Sequence, residues 1–164
     1  MNFLKGLFNF STSLYGYILA KKKSSRILFS TVTNDNFIKG TLVMIYSMAK
    51  HIPNFKNNFV RVFYDDSISP LSNNNKTALL GMMENIELIH VRDDIYRKAK
   101  CKNEEHRLAY LTIETFNQSD FSNVVFFDGD MITMGDFSKV LDFSFPVFGS
   151  RTGEFKNISG PRIK

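Results

Sequence analysis

Cysteine and tryptophan are almost absent from this sequence of 164 residues, which holds one cysteine and no tryptophan. The single Cys101 excludes an internal disulfide and any zinc site built from several cysteines, and it is compatible with a reducing compartment. We therefore expect a cytoplasmic protein. Histidine is also scarce: His51, His90 and His106 are the three in the chain.

A long apolar run is missing as well. Residues 1–23 place apolar side chains at helical spacing and end in Lys21, Lys22 and Lys23, but one face is too polar to span a bilayer, which needs about 20 predominantly apolar residues. Three interpretations stay open: a helix packed on the domain, an interfacial anchor that makes peripheral membrane contact, or a signal-like segment. We assign residues 1–25 to an amphipathic helix with a basic linker and residues 26–164 to one domain.

The charge balance is mildly basic, with a net charge of +5 and a pI near 9.3. This favours phosphate-bearing small molecules as ligands, but it is weak for a dedicated nucleic-acid binder, and no nucleic-acid motif is present. We expect no nucleic-acid partner. A hydrophobic fraction of 43%, with 17 phenylalanines, is ample for one core.

Apolar strand-like and amphipathic helix-like stretches alternate along the domain. Strands are predicted at 27–33, 59–64, 86–91 and 124–127, helices at 36–51, 69–85 and 104–119, and a charged loop at 92–103. The order βαβαβαβ predicts an α/β fold with a Rossmann-like, mostly parallel sheet.

Two carboxylates follow the last predicted strand, in the stretch Val124-Val-Phe-Phe-Asp-Gly-Asp-Met. Ligands of open α/β sheets bind at the carboxyl ends of the strands, and Asp128 and Asp130 are close enough in sequence to be directed at one point. Such a pair suits Mg²⁺ or Mn²⁺ bound to a diphosphate. Two alternatives remain: a hairpin with a type I′ turn at Asp128-Gly129, and a haloacid-dehalogenase phosphatase motif, which stands near the start of its domain.

The first predicted strand runs directly into a helix through Thr31-Val-Thr-Asn-Asp-Asn-Phe-Ile-Lys-Gly. Backbone amides and small polar side chains at a helix start can hydrogen-bond a base or ribose, and Phe37 can stack on a base. Asn and Asp are also the residues that helix N-caps prefer, so capping alone accounts for part of this pattern.

Together the two stretches resemble the glycogenin-like retaining glycosyltransferases over about residues 27–148. The resemblance implies a nucleotide-diphospho-sugar transferase (GT-A) fold, a UDP-sugar donor, Mn²⁺ or Mg²⁺ as cofactor, and transfer of a hexose with retention of configuration to an unknown glycan, protein or lipid acceptor. It assigns the metal to Asp128 and Asp130, and the nucleotide to Thr31, Val32, Thr33, Asn34, Phe37, Asp128 and Gly129.

Two features depart from the family pattern. The basic residue that usually faces the phosphates is replaced by Thr112 or Leu111, and Arg107, four residues before Leu111, is the candidate substitute. The family also completes its metal site with a histidine in a segment well after the Asp-X-Asp, and no histidine follows Asp128. The domain is therefore predicted to be incomplete at its carboxyl end, and a non-catalytic nucleotide-sugar-binding or scaffold module is the alternative function.

Overall fold

Residues 27–142 are described by the structure, which is a computed structural model. The amphipathic stretch and its basic run, residues 1–23, lie outside the described residues, so the three interpretations of that stretch stay predictions. Within the described residues no helix is long and apolar enough to cross a membrane.

Strands and helices alternate along the described chain, as the apolar pattern predicts. In order they are β1 (Ile27–Val32), α1 (Ile38–His51), a 3₁₀ turn (Phe55–Asn57), β2 (Phe59–Tyr64), α2 (Asn73–Leu80), β3 (Ile86–His90), α3 (Asp94–Lys98), a long 3₁₀ segment (Glu104–Asn117), β4 (Asn123–Phe126) and a second short 3₁₀ segment (Ser138–Asp142).

The four strands form one sheet in the order β3-β2-β1-β4, and every pair is parallel. β1 is central: Leu28 lies opposite Phe59 of β2 on one side and Val124 of β4 on the other. The α/β prediction is confirmed. All four strands therefore end at the same edge of the sheet, where binding sites of such folds lie.

Both faces of the sheet are covered, which is why its strands read as nearly continuous apolar runs. Because side chains alternate along a strand, Phe29 of β1 packs toward α1 with Met44, Ile45 and Met48, in a cluster that also holds Phe55. The opposite face packs on the long 3₁₀ segment, with Phe63, Val91, Tyr96, Leu108 and Leu111 buried together. Burying each large apolar side chain stabilises the fold by about 1.5–3 kcal/mol.

Three stretches differ from the predicted elements. The helix predicted at 104–119 is a 3₁₀ segment, Glu104–Asn117. The helix predicted at 69–85 begins only at Asn73 and ends at Leu80, because Pro70 lies in a preceding loop where its carbonyl accepts a hydrogen bond from Asp35 N at 2.9 Å. The stretch predicted as a charged loop contains α3, whose first turn is capped by the Asp93 side chain accepting from Ile95 N at 2.9 Å.

The hairpin alternative at Asp128-Gly129 is wrong. β4 ends at Phe126, and no later strand in residues 127–142 pairs with it. Met131 N instead donates to Asp128 O at 3.2 Å, so the chain makes a turn and then leaves the sheet.

Two buried threonines on the α1-facing side of β1 differ in their hydrogen bonding. Thr33 Oγ1 is 2.8 Å from Thr41 Oγ1 of α1, and both residues are fully buried. Thr31, two residues earlier and 1% exposed, has a hydroxyl with no hydrogen-bond partner in the described part of the chain. A buried hydroxyl without a partner costs free energy that an apolar group of the same shape does not.

We therefore predict opposite effects of the same substitution at the two positions. Thr31→Val should raise the free energy of unfolding by about 1 kcal/mol, because it removes an unpaired buried hydroxyl. Thr33→Val, the matched control, should lower it by about 1 kcal/mol, because it breaks the pair with Thr41. Urea denaturation of both variants measures the difference, and a destabilised Thr31→Val protein would contradict the prediction.

Candidate nucleotide and metal site

The loops after β1 and β4 meet at the carboxyl edge of the sheet. These strands are neighbours, with Ser30 opposite Phe126, and Phe127 N extends the ladder by donating to Ser30 O at 3.0 Å. The two sequence motifs, about ninety residues apart in the chain, are therefore in direct contact. Parallel pairing of β1 with β4 is what brings the two motifs together.

The loop that carries the paired aspartates is fixed at three points. The Phe127 ring stacks on Phe29 with ring centroids 5.9 Å apart. Gly129 packs against the first turn of α1. Thr133 N donates to the Ser47 hydroxyl at 3.0 Å, two turns further along the same helix.

Asp128 and Asp130 themselves are exposed, on either side of the buried contact that Gly129 makes. Within residues 27–142 neither carboxylate takes part in a hydrogen bond or ion pair. The loop thus combines a well-anchored backbone with two carboxylates that are free to bind a ligand.

Gly129 and Gly40 explain how the loop comes so close to the helix. A Cβ built on Gly129 would lie 2.7 Å from Thr41 Oγ1, and one built on Gly40 would lie 2.6 Å from Gly129 O. Both distances are shorter than real Cβ contacts allow. Glycine is thus required at 129 by the contact with α1, whatever ligand approaches the loop from the other side.

The β1–α1 turn is held by the side chain of Asn34, one of the predicted nucleotide ligands. Its Oδ1 accepts from Asn36 N at 2.9 Å and Phe37 N at 3.0 Å, which fixes the turn just before α1, and its Nδ2 donates to Ser69 Oγ at 2.9 Å. Both ends of this amide are therefore already bonded. Nucleotide binding by the Asn34 side chain would require some of these bonds to be exchanged.

The other residues predicted to line the nucleotide differ in accessibility. Thr31 and Thr33 are buried under α1, and Val32 is half-buried on the opposite face of the sheet beside the cluster around Phe63. Phe37 is different: its side chain is 52% exposed at the start of α1. Of the residues in the first motif that are predicted to bind the nucleotide, it is the one with an exposed side chain.

Arg107, the candidate phosphate ligand, uses its guanidinium for hydrogen bonds within the protein. Its Nη1 donates to the carbonyl oxygens of Tyr96, Arg97 and Ala99 at 3.0, 2.7 and 2.6 Å, and its other nitrogens bond Glu104. These carbonyls close the end of α3, where backbone acceptors lack partners within the helix. The guanidinium is 13% exposed and would have to leave this arrangement to reach a phosphate.

A buried ion pair at the carboxyl end of β2 has no counterpart among the residues predicted from sequence. Arg97 binds the fully buried Asp65 in two-pronged fashion, with Nε 2.9 Å from Oδ2 and Nη2 3.1 Å from Oδ1. Ser67 adds bonds to Oδ1 from its amide at 2.9 Å and its hydroxyl at 2.6 Å. Burial by itself raises the pKa of Asp65, but these hydrogen bonds lower it to about 2, from an ordinary 3.8.

Paired carboxylates fit a hard divalent cation, which prefers oxygen ligands. Asp128 and Asp130 would supply two of the six ligands of an octahedral ion, and the described residues contain no cluster of three or more His, Cys, Asp or Glu side chains. The remaining ligands must come from water, from a bound diphosphate, or from residues outside 27–142. The donor chemistry fits Mg²⁺ or Mn²⁺ as a partial site.

The parallel sheet and its loop contacts place the chain among the GT-A folds. A galactosyltransferase, LgtC, solved in complex with donor and acceptor sugar analogs, superimposes with a TM-score of 0.56 at 12% identity, over 71% of this chain and 42% of LgtC; an active-site mutant of LgtC gives the same values. The apo structure of WbbM, a bifunctional glycosyltransferase, has a TM-score of 0.50 at 20% identity, over 73% of this chain and 21% of WbbM.

The sequence also matches a family model, that of glycosyl transferase family 8, over residues 29–157. The chain therefore belongs to glycosyl transferase family 8, and the resemblance to glycogenin-like enzymes is confirmed at the level of family and fold. No curated protein sequence matches the chain. The chain spans less than half the length of the solved structures that it resembles.

The Asp65–Arg97 pair predicts an acid-dependent loss of stability. Because the folded pKa of Asp65 is about 2 and the ordinary value is 3.8, the charged form is favoured by folding. This contribution is complete above about pH 4 and is lost as the pH falls toward 2; at about 1.4 kcal/mol per pKa unit it amounts to about 2 kcal/mol. Urea unfolding of wild type and Asp65→Asn from pH 7 to 2.5 measures it.

The difference in unfolding free energy between the two proteins should shrink over that acid range. Asp65→Asn replaces the carboxyl by an amide that does not titrate, so the stability of the variant lacks this part of the pH dependence. A difference that stays constant down to pH 2.5 would contradict the assigned ion pair.

Proposed function

We propose that this chain is the donor-binding part of a metal-dependent glycosyltransferase that transfers a hexose from a UDP-sugar with retention of configuration. Membership of glycosyl transferase family 8 supports the reaction class. The observation that carries the proposal is the loop after β4, which presents two exposed and unpaired carboxylates beside the start of α1. The acceptor is an unidentified glycan, protein or lipid.

The residues of the chain have separate tasks in this proposal. Asp128 and Asp130 hold Mn²⁺ or Mg²⁺ through their free carboxylates. When bound there, the cation would neutralise the diphosphate and so make UDP a better leaving group. The exposed ring of Phe37 offers an apolar surface on which a base can stack. Thr33 and Asn34 act by fixing the turn that presents Phe37.

A non-catalytic nucleotide-sugar-binding module is the second candidate. The small number of metal-coordinating side chains favours this candidate, since no cluster of three His, Cys, Asp or Glu residues occurs in residues 27–142. The two candidates differ in activity and agree in binding. Incubation with a panel of UDP-sugars and Mn²⁺ separates them: an enzyme releases UDP, whereas a binding module retains the intact donor. Binding of GDP- or CDP-sugars without UDP-sugars would contradict the assigned donor class.

Metal and nucleotide should bind with positive coupling. Two carboxylates alone hold a mostly hydrated cation weakly, whereas the diphosphate oxygens of UDP complete its shell. We expect Mn²⁺ to tighten UDP binding by about 1–3 kcal/mol, and UDP to tighten Mn²⁺ binding equally, because linkage is reciprocal. Titration calorimetry of UDP with and without Mn²⁺ measures this coupling.

Asp130→Ala should abolish the coupling and leave the fold intact, because the side chain is exposed and makes no hydrogen bond or ion pair within residues 27–142. Asp120→Ala is the matched control, since Asp120 is an exposed carboxylate in the turn before the same strand, at the opposite edge of the sheet. The control should keep the wild-type coupling. If the wild-type protein bound UDP equally well with and without Mn²⁺, the proposed metal site would be contradicted.

We also propose that residues 1–23 bind anionic membranes reversibly. The support is the sequence pattern, an apolar stripe beside Lys21, Lys22 and Lys23, and each lysine near such a surface contributes about 1 kcal/mol. Co-sedimentation with anionic vesicles should pellet the protein, and neutral vesicles should not. Equal behaviour with both kinds of vesicle would favour a helix packed on the domain.

A further inference from the structure

The contact between α1 and the aspartate loop is unusually close. Gly40 lies in the first turn of α1, and Gly129 lies between the two aspartates. A Cβ on Gly40 would meet Gly129 O at 2.6 Å, Asp130 Cα at 3.4 Å and Gly129 C at 3.5 Å. All three are backbone atoms, which cannot rotate away as the end of a side chain can.

The reverse contact is equally tight. A Cβ on Gly129 would meet Thr41 Oγ1 at 2.7 Å and Thr41 Cβ at 3.8 Å. Thr41 is fully buried and its hydroxyl is bonded to Thr33 Oγ1 at 2.8 Å and to Phe37 O at 3.3 Å, so its rotamer is fixed. The loop backbone therefore packs on the helix in one position, between Gly40 and Thr41. We call this position the seat of the loop.

Helix propensity by itself does not explain glycine at position 40. Glycine inside a helix is less favourable than alanine, which loses less conformational freedom on folding. A position that served the helix alone would be better filled by alanine. The close contact with the backbone of Gly129 and Asp130 accounts for the absence of a side chain at position 40.

We propose that Gly40 and Thr41 are positioning residues that set where the Asp128 and Asp130 carboxylates stand. The inference rests on the proposed function for its catalytic meaning, since the carboxylates matter there as metal ligands. Neither residue touches the nucleotide in this proposal. Both act through the backbone of the loop.

Gly40→Ala tests the inference. The added methyl should displace the loop, so that the enhancement of UDP affinity by Mn²⁺, expected to be fivefold or more in the wild type, falls below twofold. Metal-free UDP affinity should stay within twofold of wild type, because the exposed Phe37 ring is retained. Gly81→Ala is the matched control: this glycine ends α2, its Cβ would lie an ordinary 3.4 Å from Thr77 O, and the coupling should be unchanged.

Amide hydrogen exchange gives a readout that needs neither metal nor nucleotide. Met131 N is held by Asp128 O in the loop turn, so its protection reports whether the loop is seated. Gly40→Ala should reduce the protection of Met131 at least tenfold, and Gly81→Ala should not. Wild-type UDP binding that ignores Mn²⁺ would defeat the proposed function, and the exchange result would still decide the positioning role.

A compensating pair of substitutions covers the case in which Gly40→Ala does not fold. Gly129→Ala should lose protection at Met131 because its methyl meets Thr41 Oγ1, and adding Thr41→Ala should recover most of that protection by removing the atom in the way. Recovery supports the seat described by these contacts. Wild-type protection in Gly40→Ala, or in Gly129→Ala alone, would overturn the inference.

Discussion

The hydroxyl of Thr41 is the point at which strand, helix and loop of the candidate site meet. It pairs with Thr33 at the end of β1, lies 3.3 Å from Phe37 O in its own helix, and is the surface on which Gly129 rests. The strand end, the helix start and the loop after β4 are thereby packed around one buried oxygen. Since a buried hydroxyl must keep its partners, the strand end and the first turn of the helix are held by its hydrogen bonds. The loop is limited by close contact with the same oxygen.

This arrangement divides the two motifs into an inner and an outer set. Thr33 and Asn34 face inward and use their polar atoms on the fold itself, one on Thr41 and the other on the amides of the turn before α1. Phe37, Asp128 and Asp130 face outward and are exposed. The inward-facing residues are held by hydrogen bonds and keep the exposed residues at fixed distances from one another. A binding site needs such support when its ligand requires a defined geometry.

The sequence was most informative where structure depends on local pattern. Largely apolar runs located the four strands to within two residues at each end, because strands of a sheet covered on both faces carry apolar residues on both sides. The extent of α2 was wrong, because Pro70 and its neighbours are held by bonds to the β1–α1 turn that no local pattern encodes. α3 was missed, although Asp93 and Asp94 before Arg97 and Lys98 are the charge order of a capped short helix.

Long-range pairing explains the remaining differences at the site. Thr31, Thr33 and Asn34 sit in the matching motif, but only the packing of α1 shows which of them turn inward. The Asp65–Arg97 pair joins residues thirty-two apart, and its members look like ordinary loop charges until α3 is placed over the end of β2. Arg107 was singled out for its position on a predicted helix, whereas its bonds to three carbonyls follow from the existence of α3.

The carboxylates at the carboxyl edge of the sheet divide sharply by what neutralises them. Asp65 is paired with Arg97, Asp66 with Lys76, and Asp35 accepts from the backbone of Ser72 and the side chain of Asn75. Hydrogen bonds to the charged form hold the pKa of each of the three below its usual value, and burial opposes this in every case. At the end of β2, Asp65 and Asp66 are therefore each paired with a basic side chain of the protein, and neither requires an added cation.

The end of β4 has the opposite character. Asp128 and Asp130 are two residues apart, and the described part of the chain gives neither of them a donor or a cation. Adjacent like charges repel, and the repulsion is relieved when a cation lies between them. At the carboxyl edge of the sheet, the fold neutralises three carboxylates with its own groups and leaves two neighbouring ones free, on a loop packed tightly against α1. A divalent cation bound to a diphosphate would supply the missing positive charge there.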